Sequence, residues 1–170
     1  MKITVRKIAA EGVLLAAASI VFLIESLIPP LLVIAPYVKL GLANIFVLFV
    51  LVRFGAKDAF IFVLAKNLLT ALVVPFAFLF NLAGSLCAYA VMAGMYAAFK
   101  RSVSLVAVSV AGAVLNNIAR TGVAAILMEA PSLYVQLPFV SGFGIAAGII
   151  IGISVIFCLK YLPERLTSGR

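Results

Sequence analysis

The stretch PPLLVIAPYVKLGLANIFVLFVLVRFG, residues 29–55, joins a proline-bearing apolar segment to a long apolar run. Between them lie Lys39, Gly41 and Asn44, in a chain that contains few polar residues. The three prolines oppose a regular helix in the first half, whereas residues 38–54 are just long enough for a short membrane-spanning helix. The stretch therefore predicts a stiff, apolar loop that leads into a transmembrane helix with polar groups at its start.

The composition extends this prediction to the whole chain. Of its 170 residues, 66% are hydrophobic and only 11% are charged, and the mean hydropathy is +1.33. Soluble domains contain about 25% charged residues, so these values indicate an all-α integral membrane protein. We expect one transmembrane domain over residues 1–170, a compact bundle of six helices near residues 9–28, 38–54, 58–79, 81–99, 102–127 and 138–159.

The net charge of +8 is explained by topology rather than by nucleic-acid binding. The N-terminus, the second-to-third loop, the fourth-to-fifth loop and the C-terminus hold most of the basic residues, and these segments share one side of a six-helix bundle. Cytoplasmic loops of membrane proteins are enriched in Lys and Arg. Both termini are therefore predicted to be cytoplasmic. The basic residues concerned are Lys2, Arg6, Lys7, Arg53, Lys57, Lys100, Arg101, Lys160, Arg165 and Arg170.

Several kinds of chemistry are excluded by missing residue types. The chain has no His, so His-based catalysis, metal binding and proton relays are absent. Its single Asp, Asp58, lies beside Lys57, and Mg²⁺-dependent transfer of diphosphates normally requires clustered carboxylates. No phosphate-binding loop of the ATPase type is present. We therefore expect no enzymatic activity, no cofactor and no metal site.

Most of the remaining polar residues fall in the half of the helices that is opposite the basic loops. A charge in the membrane core costs roughly 2.5–3.5 kcal/mol and usually faces the bundle interior or a wet cavity. We expect these residues to line a cavity for a small anionic or zwitterionic solute. The alternative is that they only bind helices to one another. The residues are Glu25, Lys39, Asn44, Lys66, Asn67, Thr70, Asn81, Asn116, Asn117 and Arg120.

Two apolar loops on the same side are candidate lids over this cavity. The first contains Pro36 and Tyr37, and the second, EAPSLYVQLP, contains Glu129, Tyr134 and Gln136. Prolines make both loops stiff. Alternatively, the tyrosines anchor the loops in the headgroup region.

Small residues form one stripe on the first helix and one on the last. Ala9, Gly12, Ala16 and Ser19 recur on one face of the first helix, where they could pack within the chain or contact a partner subunit. The glycines of the last helix, Gly144, Gly148 and Gly152, are four residues apart. We expect them to serve packing within the chain.

The segment KLGLANIFVLFVLVRFGAKDAF, Lys39 to Phe60, resembles the second-helix signature of the substrate-binding S components of energy-coupling-factor (ECF) importers. Within that superfamily it is most similar to members described as "Gx transporter" or "heptaprenyl diphosphate synthase component I". The resemblance implies a prokaryotic protein of the cytoplasmic membrane that captures a solute in its outer half. It also implies partners, namely a transmembrane coupling protein that docks on the first-helix stripe and two ATPase subunits that supply energy.

Two other functions remain open from the sequence. The chain could be an accessory membrane subunit of a prenyl-lipid, quinone or membrane redox pathway, without catalysis of its own. It could also be a stand-alone secondary carrier, although it lacks an evident inverted repeat. The chain has no Trp, so a stacking site for an aromatic vitamin is not assumed.

Overall fold

The computed structural model of the chain describes residues 5–27, 41–99 and 102–162. Within these ranges the chain forms six α-helices and two short 3₁₀ helices, with no β-strand. The α-helices are α1 (Val5–Leu27), α2 (Asn44–Arg53), α3 (Ala56–Val73), α4 (Phe78–Phe99), α5 (Leu105–Leu127) and α6 (Leu137–Tyr161). The 3₁₀ helices, Pro75–Ala77 and Pro131–Gln136, precede α4 and α6. The predicted all-α fold with six helices is confirmed.

Four segments are long and apolar enough to cross a membrane: α1, residues 75–99, α5 and residues 131–161. The chain is therefore a multi-pass membrane protein. Helix α3 has 18 residues, but Lys57, Asp58 and Lys66 interrupt its apolar character. Helix α2 has 10 residues, which span about 15 Å, whereas the hydrocarbon core is about 30 Å thick.

The predicted second span, residues 38–54, is therefore too long. Gly41 has a φ of 73°, a left-handed conformation that favours glycine, and a turn at residues 42–43 follows it. The backbone N–H of Asn44 donates to the carbonyl of Gly41 at 2.9 Å, so the helix begins only at Asn44. Residues 38–40 lie outside the described ranges.

The boundary between the third and fourth predicted spans also differs from the sequence prediction. Helix α3 ends at Val73 rather than near residue 79, and α4 begins at Phe78 rather than at residue 81. Pro75 has no N–H and disfavours a helical conformation at the residue before it. Val74 accordingly leaves the helical region, with φ −130° and ψ 72°.

The glycines of α6 serve packing within the chain, as predicted. A Cβ atom added at Gly148 would lie 2.5 Å from the Cα of Val110, and one at Gly152 would lie 2.6 Å from the Cα of Val106. Glycine therefore brings the backbones of α5 and α6 together in antiparallel orientation. The most extensive packing in the bundle joins α5 to α4 and α6.

The short helix α2 lies at the centre of the bundle. It contacts α1, α3, α4 and α6, and all five residues from Val47 to Leu51 are buried. Helix α1 is the least enclosed, because only Ala18, Phe22 and Glu25 are buried along its length.

One end of the bundle, which we call the basic end, carries Arg6, Lys7, Arg53, Lys57 and Lys160. The Nζ of Lys7 donates to the Oδ2 of Asp58 at 2.6 Å, which places the start of α1 beside the start of α3. The Nζ of Lys7 also lies 3.7 Å from the Oε1 of Glu11. We call the opposite half of the bundle the polar half, because the buried amides and charges described below lie there.

Replacing Asp58 with Asn should loosen this attachment of α1. The partly buried contact with Lys7 would lose its charge, and we expect the free energy of unfolding to fall by about 1 kcal/mol. Thermal unfolding in detergent, followed by far-UV circular dichroism, measures the effect. Lys57→Gln is the matched control, since Lys57 is adjacent and exposed. Equal melting of the two variants would contradict a role for the contact.

Candidate functional site

A small polar cavity of about 20 Å³ lies in the polar half. Residues from α1, the turn before α2, and helices α2, α3, α4 and α5 surround it. Its lining consists of Phe22, Glu25, Gly41, Ala43, Asn44, Lys66, Asn67, Asn81, Ser85, Asn116 and Arg120. Each of its polar side chains is buried, so the site is a closed interior cluster, which we call the polar cluster.

Glu25 joins the end of α1 to the turn that precedes α2. Its Oε1 accepts a hydrogen bond from the backbone N–H of Gly41 at 2.5 Å. A Cβ atom at Gly41 would lie 3.2 Å from the side-chain nitrogens of both Asn44 and Asn116. Glycine is therefore suited to this position by its left-handed backbone and by the two close amides.

Lys66 lies near the middle of α3 and points to α4. Its Nζ donates to the Oγ of Ser85 at 3.3 Å, and the Ser85 hydroxyl donates to the Oδ1 of Asn67 at 3.5 Å. The Nδ2 of Asn67 in turn donates to the carbonyl of Val63 at 2.8 Å. The contact of 3.3 Å with Ser85 holds the ammonium less firmly than a direct ion pair would.

Arg120 of α5 is held by α4. Its guanidinium donates to the Oδ1 of Asn81 at 2.6 Å. Gly84 permits this approach, because a Cβ atom there would collide with the side chain of Asn116 and lie 2.7 Å from the Cγ of Arg120. Because Gly84 of α4 has no side chain, there is room beside it for Asn116 and Arg120 of α5.

The charges of the polar cluster do not cancel. Glu25 attracts both Lys66 and Arg120, and the two cations repel each other. Among the described residues that line the cavity, two cations and one carboxylate leave one positive charge in excess. The side-chain amides of four asparagines surround these charges, so the chemistry suits a carboxylate, a phosphate or a zwitterion.

The cavity is much smaller than a metabolite site. A volume of about 20 Å³ accommodates one water molecule, whereas small-molecule sites measure about 300–1,000 Å³. Binding of a solute therefore requires the walls to separate. Helix α1 is the wall with the least burial, and weakly packed elements open most easily.

The structure brings seven of the predicted ligand-binding residues to this cavity, namely Glu25, Asn44, Lys66, Asn67, Asn81, Asn116 and Arg120. Two others are buried outside its lining. The Oγ1 of Thr70 donates to the carbonyl of Asn67 at 3.1 Å, and the Nδ2 of Asn117 donates to the carbonyl of Val140 at 3.4 Å. Lys39 lies outside the described residues. Whether the cluster binds a ligand stays a prediction.

The predicted lid residues are not part of the cavity lining. Glu129 and Tyr134 are exposed and Gln136 is half-buried, and none of the three lines the cavity. Pro36 and Tyr37 lie outside the described residues. The predicted partner stripe lies on the surface, since Ala9, Gly12 and Ala16 are exposed and Ser19 is half-buried.

Sequence reasoning missed several residues of the lining. Phe22 and Ala43 are apolar and carry no polar signal, although Phe22 lies three residues before Glu25 on the same helix face. Ser85 is four residues after Asn81, a spacing that places both on one face of α4. This spacing is visible in the sequence, but Ser85 was not included among the predicted ligand-binding residues.

The comparison with protein families decides the classification of the chain. A family model described as heptaprenyl diphosphate synthase component I matches residues 14–158. The chain belongs to this family. Every residue of the polar cluster lies within the range that the family model matches. Ala9 and Gly12 of the stripe precede this range. No curated protein and no solved structure matches the chain.

Proposed function

We propose that the chain is the solute-binding membrane subunit of an ECF-type importer. In this role it captures a small anionic or zwitterionic solute in the polar half and depends on partner ATPases for energy. The observation that carries the proposal is the polar cluster, in which Lys66, Arg120 and Glu25 are buried together with a net positive charge. Interhelical packing alone does not require an excess charge, which is costly in the membrane.

The position of the small-residue stripe also supports this proposal. The inner face of α1 is defined by Ala18, Phe22 and Glu25, and Gly12 and Ala16 lie on the exposed side. A Cβ atom added at Gly12 meets no other atom within 4 Å. Gly12 is therefore open to the surface within the described part of the chain, and small residues permit close approach of a helix from another subunit.

A pull-down from native membranes in mild detergent tests the proposal. We expect a transmembrane coupling protein and two ATPase subunits to be recovered with the wild-type chain. Replacing Gly12 and Ala16 with Leu should reduce their recovery at least about tenfold, because overpacking typically costs 1–3 kcal/mol per site. Quantitative mass spectrometry of the bound proteins provides the measurement.

Gly94→Leu is the matched control for this pull-down. Gly94 is exposed on α4 and, like Gly12, has no atom within 4 Å of an added Cβ. The control should retain the partners. If the wild-type chain is recovered without ATPase subunits, or if Gly94→Leu loses the partners as strongly as the stripe variant does, the importer proposal is contradicted.

The family description favours one alternative, an accessory membrane subunit of a prenyl-lipid pathway. In that case the same pull-down should recover a prenyltransferase instead of ATPases. The polar cluster would then bind the helices to one another and would have no ligand of its own.

A further inference from the structure

Two opposite charges of the polar cluster lie on different helices and do not pair directly. Glu25 of α1 and Lys66 of α3 are 7% and 3% exposed, and both line the cavity. They attract each other, yet these two described residues form neither a hydrogen bond nor an ion pair with one another. Buried charges are normally paired, because an unpaired charge is costly away from water. Helix packing alone does not explain why these two charges stay apart.

Both charged groups also keep unused hydrogen-bonding capacity. An ammonium has three donors, and an ionised carboxylate has two acceptor oxygens. In the described part of the chain, the Lys66 ammonium donates to Ser85, and the Oε1 of Glu25 accepts from the backbone N–H of Gly41. Two donors of Lys66 and the Oε2 of Glu25 are therefore left for a further group in the cavity.

We propose that a small zwitterion binds between these two residues, with its carboxylate at Lys66 and its ammonium at Glu25. Such a solute pairs both buried charges at once. A simple anion would also be attracted by Lys66 but would be repelled by Glu25, so Glu25 determines the specificity. Arg120 is bound to Asn81 and is not required as a contact. The assignment rests on the solute-binding part of the proposed function and narrows its ligand class to zwitterions.

Helix α1 is the wall whose movement admits the solute. Its buried residues are only Ala18, Phe22 and Glu25, and weakly packed elements open most easily. Because Glu25 lies on α1 and Lys66 on α3, movement of α1 away from α3 widens the gap between the two charges. The hydrogen bond from Gly41 to Glu25 connects this movable wall to the turn before α2.

Probes that differ by one charge test the assignment. The detergent-solubilised full chain is screened by thermal unfolding against amino acids and against matched compounds that lack one of the two charges, such as propionate and ethylamine for alanine. Isothermal titration calorimetry then gives the Kd of the most stabilising zwitterion and of its matched carboxylate. We expect the wild type to bind the carboxylate at least about 30-fold more weakly, because the buried charge of Glu25 is left unpaired.

Glu25→Gln should bind the zwitterion and its matched carboxylate with equal affinity. The amide oxygen still accepts a hydrogen bond from Gly41, but the side chain no longer attracts an ammonium. Glu129→Gln is the matched control, because Glu129 is exposed and does not line the cavity. It should keep the preference of the wild type.

Three results would overturn the assignment: no zwitterion stabilises the wild type, the wild type binds the matched carboxylate as tightly, or Glu129→Gln loses the preference as Glu25→Gln does. The first two need no variant, so they decide the question even if Glu25→Gln does not fold. Recovery of ATPase subunits in the pull-down would leave the importer proposal standing in each case. A zwitterion preference without ATPase subunits would contradict the importer proposal alone.

Discussion

Replacing Gly148 with Leu should strongly destabilise the bundle. The new side chain would meet the backbone of α5, since even a Cβ atom would lie 2.5 Å from the Cα and 2.9 Å from the N of Val110. A backbone cannot rotate out of the way as a side chain can. We therefore expect a loss of about 3 kcal/mol, at the upper end of overpacking costs, and a Tm lower by about 10 °C.

Thermal unfolding in detergent, followed by far-UV circular dichroism, measures this effect. Gly142→Leu provides a matched control on the same helix, because a Cβ atom at Gly142 meets nothing within 4 Å. The control should change the stability by no more than about 0.5 kcal/mol. If both variants unfold at the same temperature, close packing of α5 against α6 does not stabilise the bundle as described.

The contrast between these two glycines shows what the sequence can predict. The spacing of Gly144, Gly148 and Gly152 predicts a packing face, because residues four apart share one side of a helix. Gly142 lies outside that register and is exposed. Hydrophobic runs likewise predict six helices, since their signal extends over many residues.

Helix ends were predicted less well, because they depend on single backbone conformations. An apolar run continues through Gly41 and Val74, so hydropathy gives no sign of a break at either. The left-handed φ of Gly41 and the proline after Val74 decide where α2 begins and α3 ends. The prolines and the glycine are visible in the sequence, but which of them ends a helix depends on the packing around it.

The residue types in the apolar helices predicted which residues form the polar cluster. They did not predict the size of the cavity. Charges and amides in apolar helices must face the interior, which is why Lys66, Asn67 and Arg120 were found from the sequence. The closure of the cavity to about 20 Å³ results from several side chains that meet from five helices. No periodicity in one chain segment specifies such a fit.

Replacing Lys66 with Met should separate a ligand site from interhelical packing. The substitution removes the ammonium but keeps a long side chain, so the volume near Ser85 stays filled. Loss of a buried charged partner typically weakens binding by 2–5 kcal/mol. We therefore expect affinity for the solute to fall at least about 30-fold.

The stability of the Lys66→Met variant without solute should change by less than about 1 kcal/mol. A lysine in the membrane interior costs roughly 2.5–3.5 kcal/mol, and its removal recovers this cost. The lost attraction to Glu25 and the lost hydrogen bond to Ser85, at 3.3 Å, act in the opposite direction. A hydrogen bond to a charged group contributes about 1.5–3 kcal/mol, so the two effects nearly cancel.

Thermal unfolding, without solute and with a panel of small carboxylates, phosphates and zwitterions, measures both the stability of each variant and its response to the solute. A solute at 100 times its Kd stabilises the folded state by about 2.7 kcal/mol, so a true ligand raises the Tm of the wild type. Lys57→Met, on the same helix but exposed, should respond to that solute as the wild type does, whereas Lys66→Met should not. If Lys66→Met instead unfolds several degrees earlier without solute, and no compound stabilises the wild type, the ammonium serves packing. The excess positive charge of the polar cluster would then be a cost that the helix contacts offset, because no solute would be present to neutralise it.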